Sequence, residues 1–319
     1  MAAALDFTGT FRDGPSPMAI LLAPAGSPEA LDAVLEAGAD AVYVGLKGWS
    51  RGGARGELDR AELARAVRRA AERGAELQLA LNTIPRPRER AALLAEIPGL
   101  TALGIRTLIV NDVGILATLR RRFPELSLTA SIGCGAQNAA DVAFFRELGA
   151  NAVVLPGTVG PAEAAECAAV GGITVEVMLH MVEEFVLLGK CAMPSYVHLK
   201  PTAMPGGLPD VMRQTGSMKR GGVGACFRIC QEPWELSTAD GHRAARLFPS
   251  RQLSRLGDVP GYLAAGVGVL KLQGRSLPPE QLEPLVARYR RAIDAVRAGA
   301  PRPAFPEPVL PPSWTVVGR

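Results

Sequence analysis

Eight short apolar runs, separated by helical stretches, constrain the fold of this chain more than any other feature of its sequence. Each run is apolar along most of its length rather than at alternate positions. Such continuous runs are typical of parallel strands, which are buried on both faces. The runs cover residues 19–26, 41–48, 76–84, 107–112, 127–133, 152–157, 174–181 and 268–275.

A helical pattern follows most of these runs, and its boundaries are marked by capping residues. After the first run, Ser27 suits an N-cap and Pro28 suits the first helical position. Eight such units predict an α/β protein with a TIM-type (β/α)8 barrel over residues 18–300. A doubly wound open sheet is the alternative, although no G-x-G-x-x-G follows an early strand. Residues 1–17 and the Pro-rich residues 301–319 are predicted to be tails.

The connection between the seventh and eighth predicted strands departs from this alternation of strands and helices. It covers residues 182–267, which is far longer than an ordinary βα connection, and it concentrates Cys, Gly and Pro. Loops that follow barrel strands emerge at the C-terminal end of the barrel, where TIM-barrel active sites lie. We therefore expect this Cys- and Gly-rich insertion to carry functional residues.

Three of the five cysteines, Cys191, Cys226 and Cys230, lie in the insertion. Thiolates are soft ligands that suit iron–sulfur clusters and zinc, and both sites usually need four protein ligands. The candidates for the fourth ligand are Cys134, just after the fifth strand, and Glu184, at the start of the insertion. An ordinary buried helix turn is the alternative interpretation of the Cys226–Cys230 spacing.

Four further residues are candidates for catalysis at the ends of two strands. Lys271 and Arg275 end the eighth strand, where barrels often bind anionic groups, or they form ion pairs that close the barrel. Glu176 and His180 are four residues apart on the seventh strand, so they are predicted to project to the same side. His180 is then either a proton donor in the barrel interior or a buried structural histidine.

Other residues have simpler interpretations. Asn82, Asn111 and Asp112 follow the third and fourth strands, where they either bind a polar substrate or cap the next helices. Cys167 lies in a helical pattern, where a free cysteine is most often a small buried residue. H-E-x-x-H does not occur, so zinc hydrolysis of that kind has no support from a motif.

The charge of the chain restricts its partners and location only weakly. The formal net charge is +4, and the Arg residues are spread along helical patterns such as RAELARAVRRAAERG. We interpret these as solvated faces, with RNA as an alternative partner. No apolar run is long enough to span a bilayer, and the N-terminus lacks a signal-peptide pattern. The sequence therefore predicts a cytoplasmic protein, in which disulfides are disfavoured.

Four segments resemble the peptidase U32 family, in order and at matching spacing from about residue 19 to residue 297. The first is LLAPAGSPEALDAVLEAGADAVYVGLKG, and the second is VEVMLHMVEEFVLLGKC, which is similar to the signature segment of the family. The third is GGVGACFRICQEPWEL, and the last is GVGVLKLQGRSLPPEQLEPLVARYRRAID. The chain is therefore identified as a divergent member of this family.

The resemblance implies a TIM barrel with a 4Fe–4S cluster and a part in oxygen-independent hydroxylation of ubiquinone precursors or RNA bases. By position, Cys191, Cys226 and Cys230 match three cysteines of the family, whereas Glu184 stands where the first cysteine of the signature segment usually is. Either Cys134 or Glu184 would then complete the cluster, and the sequence favours Cys134. The usual S-T-Q after strand five reads SIGCGAQ here, and the usual R-E after strand six reads LPGTVG. Some members are linked to prephenate as a hydroxyl source, and many act in pairs.

Sequence alone thus favours an iron–sulfur protein that hydroxylates a small aromatic or quinone-precursor substrate, with zinc as the alternative metal. One alternative function is that of a non-catalytic subunit with a structural metal site, in a heterodimer with a second U32-family protein. Hydroxylation of RNA bases is a second alternative function, and the peptidase activity of the older family label is a third.

Overall fold

The computed structural model describes residues 19–50, 56–183 and 251–299, together with two short strands between them. The strands are β1 Ile20–Pro24, β2 Ala41–Gly45, β3 Glu76–Leu81, β4 Thr107–Val110, β5 Ser127–Ala130, β6 Ala152–Leu155, β7 Thr174–Glu183, β8 Glu235–Ser237, β9 Arg243–Ala245, β10 Arg251–Ser254 and β11 Val269–Leu272. The helices are α1 Pro28–Glu36, α2 Arg60–Glu72, α3 Pro87–Ala102, α4 Val113–Arg122, α5 Ala139–Glu147, α6 Pro161–Ala168, α7 Val259–Ala264 and α8 Pro279–Arg297. Every helix of this part of the chain is too short or too polar to cross a membrane.

Eight parallel strands form a closed barrel. Strands β1 to β6 pair in chain order, β6 pairs with β7, β7 with β11, and β11 with β1. Each of the eight apolar runs contains one of these strands, so the predicted TIM-type barrel is confirmed and the open sheet is wrong. The helices surround the barrel and bury its outer face, as the continuous apolar runs require.

Local signals in the sequence set the helix boundaries. The Ser27 hydroxyl accepts a 3.2 Å hydrogen bond from the Ala30 N–H, and Pro28 occupies the first position of α1. The Asp112 carboxylate accepts a 2.7 Å bond from the Ile115 N–H and so caps α4, as one of its two interpretations predicts. These two caps begin α1 and α4 shortly after β1 and β4, so the loops after these two strands are short.

Two separate cores, together with a small apolar cluster at the mouth, stabilise the barrel. The larger core lies between the strands and the helices and contains most of the buried aliphatic side chains. The smaller core fills the barrel interior with alternating strand residues, including Leu22, Tyr43, Ala80, Ile109 and Val269. The interior is therefore packed, and the space for chemistry lies towards its C-terminal end.

Strand β7 is the longest strand and extends beyond the barrel. Its extension pairs with β10 in antiparallel orientation, with Glu183 opposite Arg251 and His180 opposite Ser254. The chain between Glu183 and Arg251 therefore leaves and returns at paired residues at the C-terminal end of the barrel. Within the predicted insertion 182–267, β10 and α7 are regular elements that the sequence pattern did not indicate.

A β-bulge interrupts β7 just before this extension. Met178 lies opposite Lys271, but Leu272 lies opposite His180, so Leu179 is an extra residue in β7. Side chains alternate between the faces of a regular strand, and an extra residue reverses that alternation. Accordingly, Met178 and Met181 belong to the same apolar cluster although they are three residues apart.

Candidate functional site at the C-terminal end of the barrel

A buried ion pair lies inside the barrel. The Lys271 ammonium donates to Glu176 Oε2 at 2.9 Å, and both side chains are almost completely buried. The Thr129 hydroxyl donates to the other Glu176 oxygen at 3.4 Å, and the Lys271 nitrogen lies 4.9 Å from the centre of the Tyr43 ring. The charged atoms thus have partners of the opposite charge or polarity, which a buried ion needs. This is the barrel-closing pair that was one interpretation of Lys271.

Arg275 lies in the loop that follows β11, closer to the barrel mouth. Its guanidinium donates to the Ser50 hydroxyl and lies 5.7 Å from the centre of the Tyr43 ring. The Tyr43 hydroxyl donates to the Leu272 carbonyl oxygen at 2.9 Å, which fixes the ring between the two cations. A Cβ atom on Gly45 would overlap both the guanidinium and the Ser50 hydroxyl, so glycine leaves the room that this contact needs.

The opposite side of the mouth is apolar. Val154, Met178 and Met181 are buried there, and Ile132 and Leu253 pack against them. Methionine is flexible and polarisable, so it adapts to flat apolar or aromatic partners. The mouth therefore has a cationic side, formed by β2 and β11 with their following loops, and an apolar side, formed by β5, β6, β7 and β10.

The loop after β6 is held tightly against β10. A Cβ atom on Gly157 would lie 2.7 Å from both the Leu253 side chain and the Met178 carbonyl oxygen. Arg255 also donates to the Gly157 carbonyl oxygen at 2.5 Å, and the Tyr262 hydroxyl donates to the Val159 carbonyl oxygen at 2.6 Å. The sequence LPGTVG, which replaces the usual R-E of the family, thus gives this side of the mouth a tightly packed wall.

His180 does not share a face with Glu176, and the prediction that it would is wrong. Its Nδ1 lies 3.2 Å from the Tyr289 hydroxyl of α8, outside the barrel interior, because the bulge at Leu179 reverses the alternation. The Tyr289 hydroxyl donates to the Leu179 carbonyl oxygen at 3.0 Å and lies 3.1 Å from the Ser254 hydroxyl. When this phenolic proton is donated to Leu179, the phenolic oxygen accepts from His180 Nδ1–H and Ser254 O–H.

Burial makes His180 a neutral group. Desolvation, with a smaller contribution from the positive charge of Arg288, lowers its pKa from 6.5 to about 4. These hydrogen bonds connect the bulge, β10 and α8 at the point where the chain leaves the barrel after Glu183 and returns at Arg251. The geometry is that of a buried structural histidine, which was the alternative interpretation of His180.

The cysteines are described only in part. Cys134 lies at the end of a short 3-10 helix after β5, and its thiol donates to the Val110 carbonyl oxygen at 3.4 Å. Cys167 is buried in the outer core, and desolvation raises its pKa, which confirms the prediction of a core residue. Cys191, Cys226, Cys230 and Glu184 lie outside the described residues. Within the described ranges, no three Cys, His, Asp or Glu side chains are grouped to hold a metal ion.

Sequence reasoning missed two polar residues that shape the site, Tyr43 and Ser50, and a buried acid at the other end of the barrel, Glu76. Tyr43 and Ser50 organise Arg275, but each stands in or beside an apolar run where aromatic and hydroxyl residues are usual. Glu76, near the N-terminal end of the barrel, accepts a hydrogen bond from the Thr107 hydroxyl, and desolvation raises the pKa of its carboxyl. A charged residue at the start of an otherwise apolar strand was the signal that could have indicated Glu76.

Comparisons with known proteins agree with this architecture. The model of peptidase family U32 matches residues 26–309. The tRNA hydroxylation protein P of Escherichia coli is 24% identical over 313 residues, which cover 88% of this chain and 69% of that protein. A 23S rRNA 5-hydroxycytidine synthase of Escherichia coli is 26% identical (86% and 39% covered), and a collagenase of Porphyromonas gingivalis is 23% identical (86% and 65% covered).

The chain thus spans from about two fifths to about two thirds of the length of these relatives. The family match covers most of the chain and includes every barrel strand after β1 and both sides of the mouth. The chain belongs to peptidase family U32.

Proposed function

We propose that this protein takes part in the hydroxylation of a base in RNA, at the C-terminal mouth of its barrel. The observation that carries the proposal is the similarity to proteins whose names concern hydroxylation of tRNA and of 23S rRNA. These relatives favour RNA over the small aromatic or quinone-precursor substrate that the sequence alone placed first. The peptidase alternative is supported only by the family label and the name of the collagenase relative.

The two sides of the mouth suit a nucleotide. Chemistry on a base requires that the base leave its stack, and RNA-binding sites commonly hold such a base against flat or apolar side chains. On the apolar side, the partly exposed Ile132 and Leu253, which pack against the buried Met178 and Met181, offer that surface. On the cationic side lies the guanidinium of Arg275. A guanidinium can bind two oxygens of a phosphate or carboxylate through two parallel hydrogen bonds.

Lys271 and Glu176 have a positioning role in this proposal. Their ion pair places a fixed dipole below the mouth, and the contact of Lys271 with the Tyr43 ring supports the ring on which Arg275 lies. Catalysis by Lys271, Glu176, Arg275 or His180 stays a prediction. His180, with its neutral ring against Tyr289, is proposed to hold the base of the insertion rather than to contact substrate.

We further propose that Cys191, Cys226 and Cys230 bind a 4Fe–4S cluster, with zinc as the alternative. The segment that carries them begins and ends at paired residues of β7 and β10, at the same end of the barrel as the mouth. A cluster there would supply electron transfer to the reaction. The sequence alone favoured Cys134 as the fourth ligand, but Cys134 would have to exchange its hydrogen bond with Val110 for a metal bond. Glu184 directly follows β7, so we propose Glu184 in its place.

Iron and sulfide analysis with electron paramagnetic resonance on anaerobically purified protein tests the cluster. We expect about four iron atoms per chain in wild type, loss of iron in Cys226→Ala, a changed spectrum in Glu184→Ala and an unchanged one in Cys134→Ala. An iron-free wild type would remove the cluster, and loss of iron in Cys134→Ala alone would reverse the choice of fourth ligand.

Mass analysis of nucleosides from total RNA tests the function itself. Deletion of the gene in its own organism should remove a hydroxylated nucleoside, and the wild-type gene should restore it. Unchanged nucleosides together with a changed quinone profile would favour the aromatic-substrate alternative. The heterodimer with a second U32-family protein and the use of prephenate stay predictions, which co-purification and labelled prephenate would test.

A further inference from the structure

An arginine-lined cleft lies between α3 and α4, on the outer surface of the barrel. It has a volume of about 430 Å³. Its lining comprises Pro87, Arg90, Ala91, Leu94, Thr118, Arg121 and Arg122. Three guanidinium groups thus surround an apolar floor, and no carboxylate belongs to the lining. Such a surface favours an anionic partner that also has apolar parts.

The arginines of the cleft differ from the arginines of the neighbouring helix α2 that form ion pairs. Arg69 of α2 pairs with Asp32 at 2.6 Å and Arg73 with Glu36 at 3.2 Å, and Arg60 pairs with Glu96. Arg90, Arg121 and Arg122 form no ion pair with any acid of the described ranges. The α2 arginines that pair with acids are part of neutralised helix faces, whereas the charge of the cleft is left for a partner.

One of the three guanidinium groups is held in place. Arg90 donates to the Thr118 hydroxyl at 2.9 Å, and this hydroxyl in turn donates to the Gly114 carbonyl oxygen at 2.7 Å. These two hydrogen bonds connect Arg90 to the backbone of α4 and use one N–H group of its guanidinium. A cation held in its binding position loses less entropy when a partner binds.

The cleft extends from the first turns of α3, at the mouth end of the barrel, to Arg121 and Arg122 in the last turn of α4. Strand β3 ends at Leu81 and α3 begins at Pro87, so the loop between them runs from the C-terminal end of the barrel to the edge of the cleft. We infer that the cleft binds the phosphate backbone of the RNA whose base enters the mouth, and this inference rests on the proposed function. Arginine suits phosphate through bidentate bonds, and its planar group also stacks on bases.

Binding of end-labelled transfer RNA at increasing salt tests the inference. The test variant is Arg121→Gln with Arg122→Gln, and the matched control is Arg65→Gln with Arg68→Gln, two exposed arginines of α2. Both double variants lower the net charge by two, and circular dichroism checks that both fold. We expect about tenfold weaker binding and a salt slope smaller by about 1 to 2 for the cleft variant. The control variant should stay near wild type.

Three results would overturn the inference. Equal losses in both double variants would mean that only net charge matters, and no loss in either would mean that RNA binds elsewhere. Competition by polyglutamate as strong as that by polyuridylate of the same charge would assign the cleft to an acidic protein instead. If the cleft variant alone loses binding but deletion of the gene changes no nucleoside, the cleft is an RNA site and the proposed function fails.

Discussion

Glu176 and His180 lie four residues apart on one strand and are equally buried, at 1% exposure each, but their environments differ completely. Glu176 forms a charged pair with Lys271 inside the barrel, whereas His180 is neutral and contacts Tyr289 in the outer layer. The bulge at Leu179 separates them. One extra residue therefore divides β7 into a part that carries charge under the mouth and a part that anchors the insertion.

The two environments also predict that stability depends on different factors in the two halves of β7. An ion pair inside a barrel tolerates the loss of both partners better than the loss of one, because a single buried charge has no compensation. A neutral histidine in a hydrogen-bonded cluster is instead sensitive to pH, since protonation places a charge where water is excluded. The two halves of β7 should therefore respond to different perturbations.

Removal of one member of the ion pair should have the largest effect. Lys271→Met leaves the Glu176 carboxylate buried beside an apolar side chain, and we expect a loss of about 3–5 kcal/mol in the free energy of unfolding. Urea denaturation at neutral pH measures it. The double variant with Glu176→Leu should recover most of the loss. A double variant as unstable as Lys271→Met would mean that packing, rather than the unpaired charge, is responsible.

Acidification should act on the other half of β7. The pKa of His180 falls from 6.5 in the unfolded chain to about 4 in the folded one, so the unfolded state binds more protons between these values. Its contribution to stability is complete above about pH 6.5 and declines as the pH falls towards 4, by roughly 3 kcal/mol in total. Urea denaturation across this range should show a shallower pH dependence for His180→Asn. An identical pH dependence would contradict a buried neutral histidine.

Loss of the Tyr289 hydroxyl should have the smallest effect. Tyr289→Phe removes the common partner of Leu179, His180 and Ser254 but keeps the ring in the core, and we expect a loss of about 1–2 kcal/mol. The pH dependence due to His180 should remain, because desolvation is its main cause. Urea denaturation of Tyr289→Phe at pH 5 and pH 7 measures both quantities. A flat pH profile would assign the pKa of His180 to this hydrogen bond instead.

The barrel could be predicted from the sequence, because its strands are mostly continuous apolar runs and α1, α2, α4 and α5 begin at the capping residues Ser27, Asp59, Asp112 and Asn138. Strand β10 could not, since RQLS is short and has no apolar period, and its pairing depends on the distant extension of β7. The bulge at Leu179 also left no local signal, so the predicted common face of Glu176 and His180 was wrong. The sequence correctly predicted that Lys271 lies at the end of its strand. It did not distinguish a buried ion pair from an accessible cation, because that depends on the contact with Glu176.

The most direct test of the mouth as the site of RNA hydroxylation is nucleoside mass analysis in a deletion strain that expresses variants of this chain. Arg275→Gln should restore less than about a tenth of the hydroxylated nucleoside that wild type restores, because it removes the guanidinium from the cationic side of the mouth. Arg65→Gln with Arg68→Gln on α2 should restore it fully, at an equal protein level. Full restoration by Arg275→Gln, or a deletion strain that keeps all its hydroxylated nucleosides, would contradict this site.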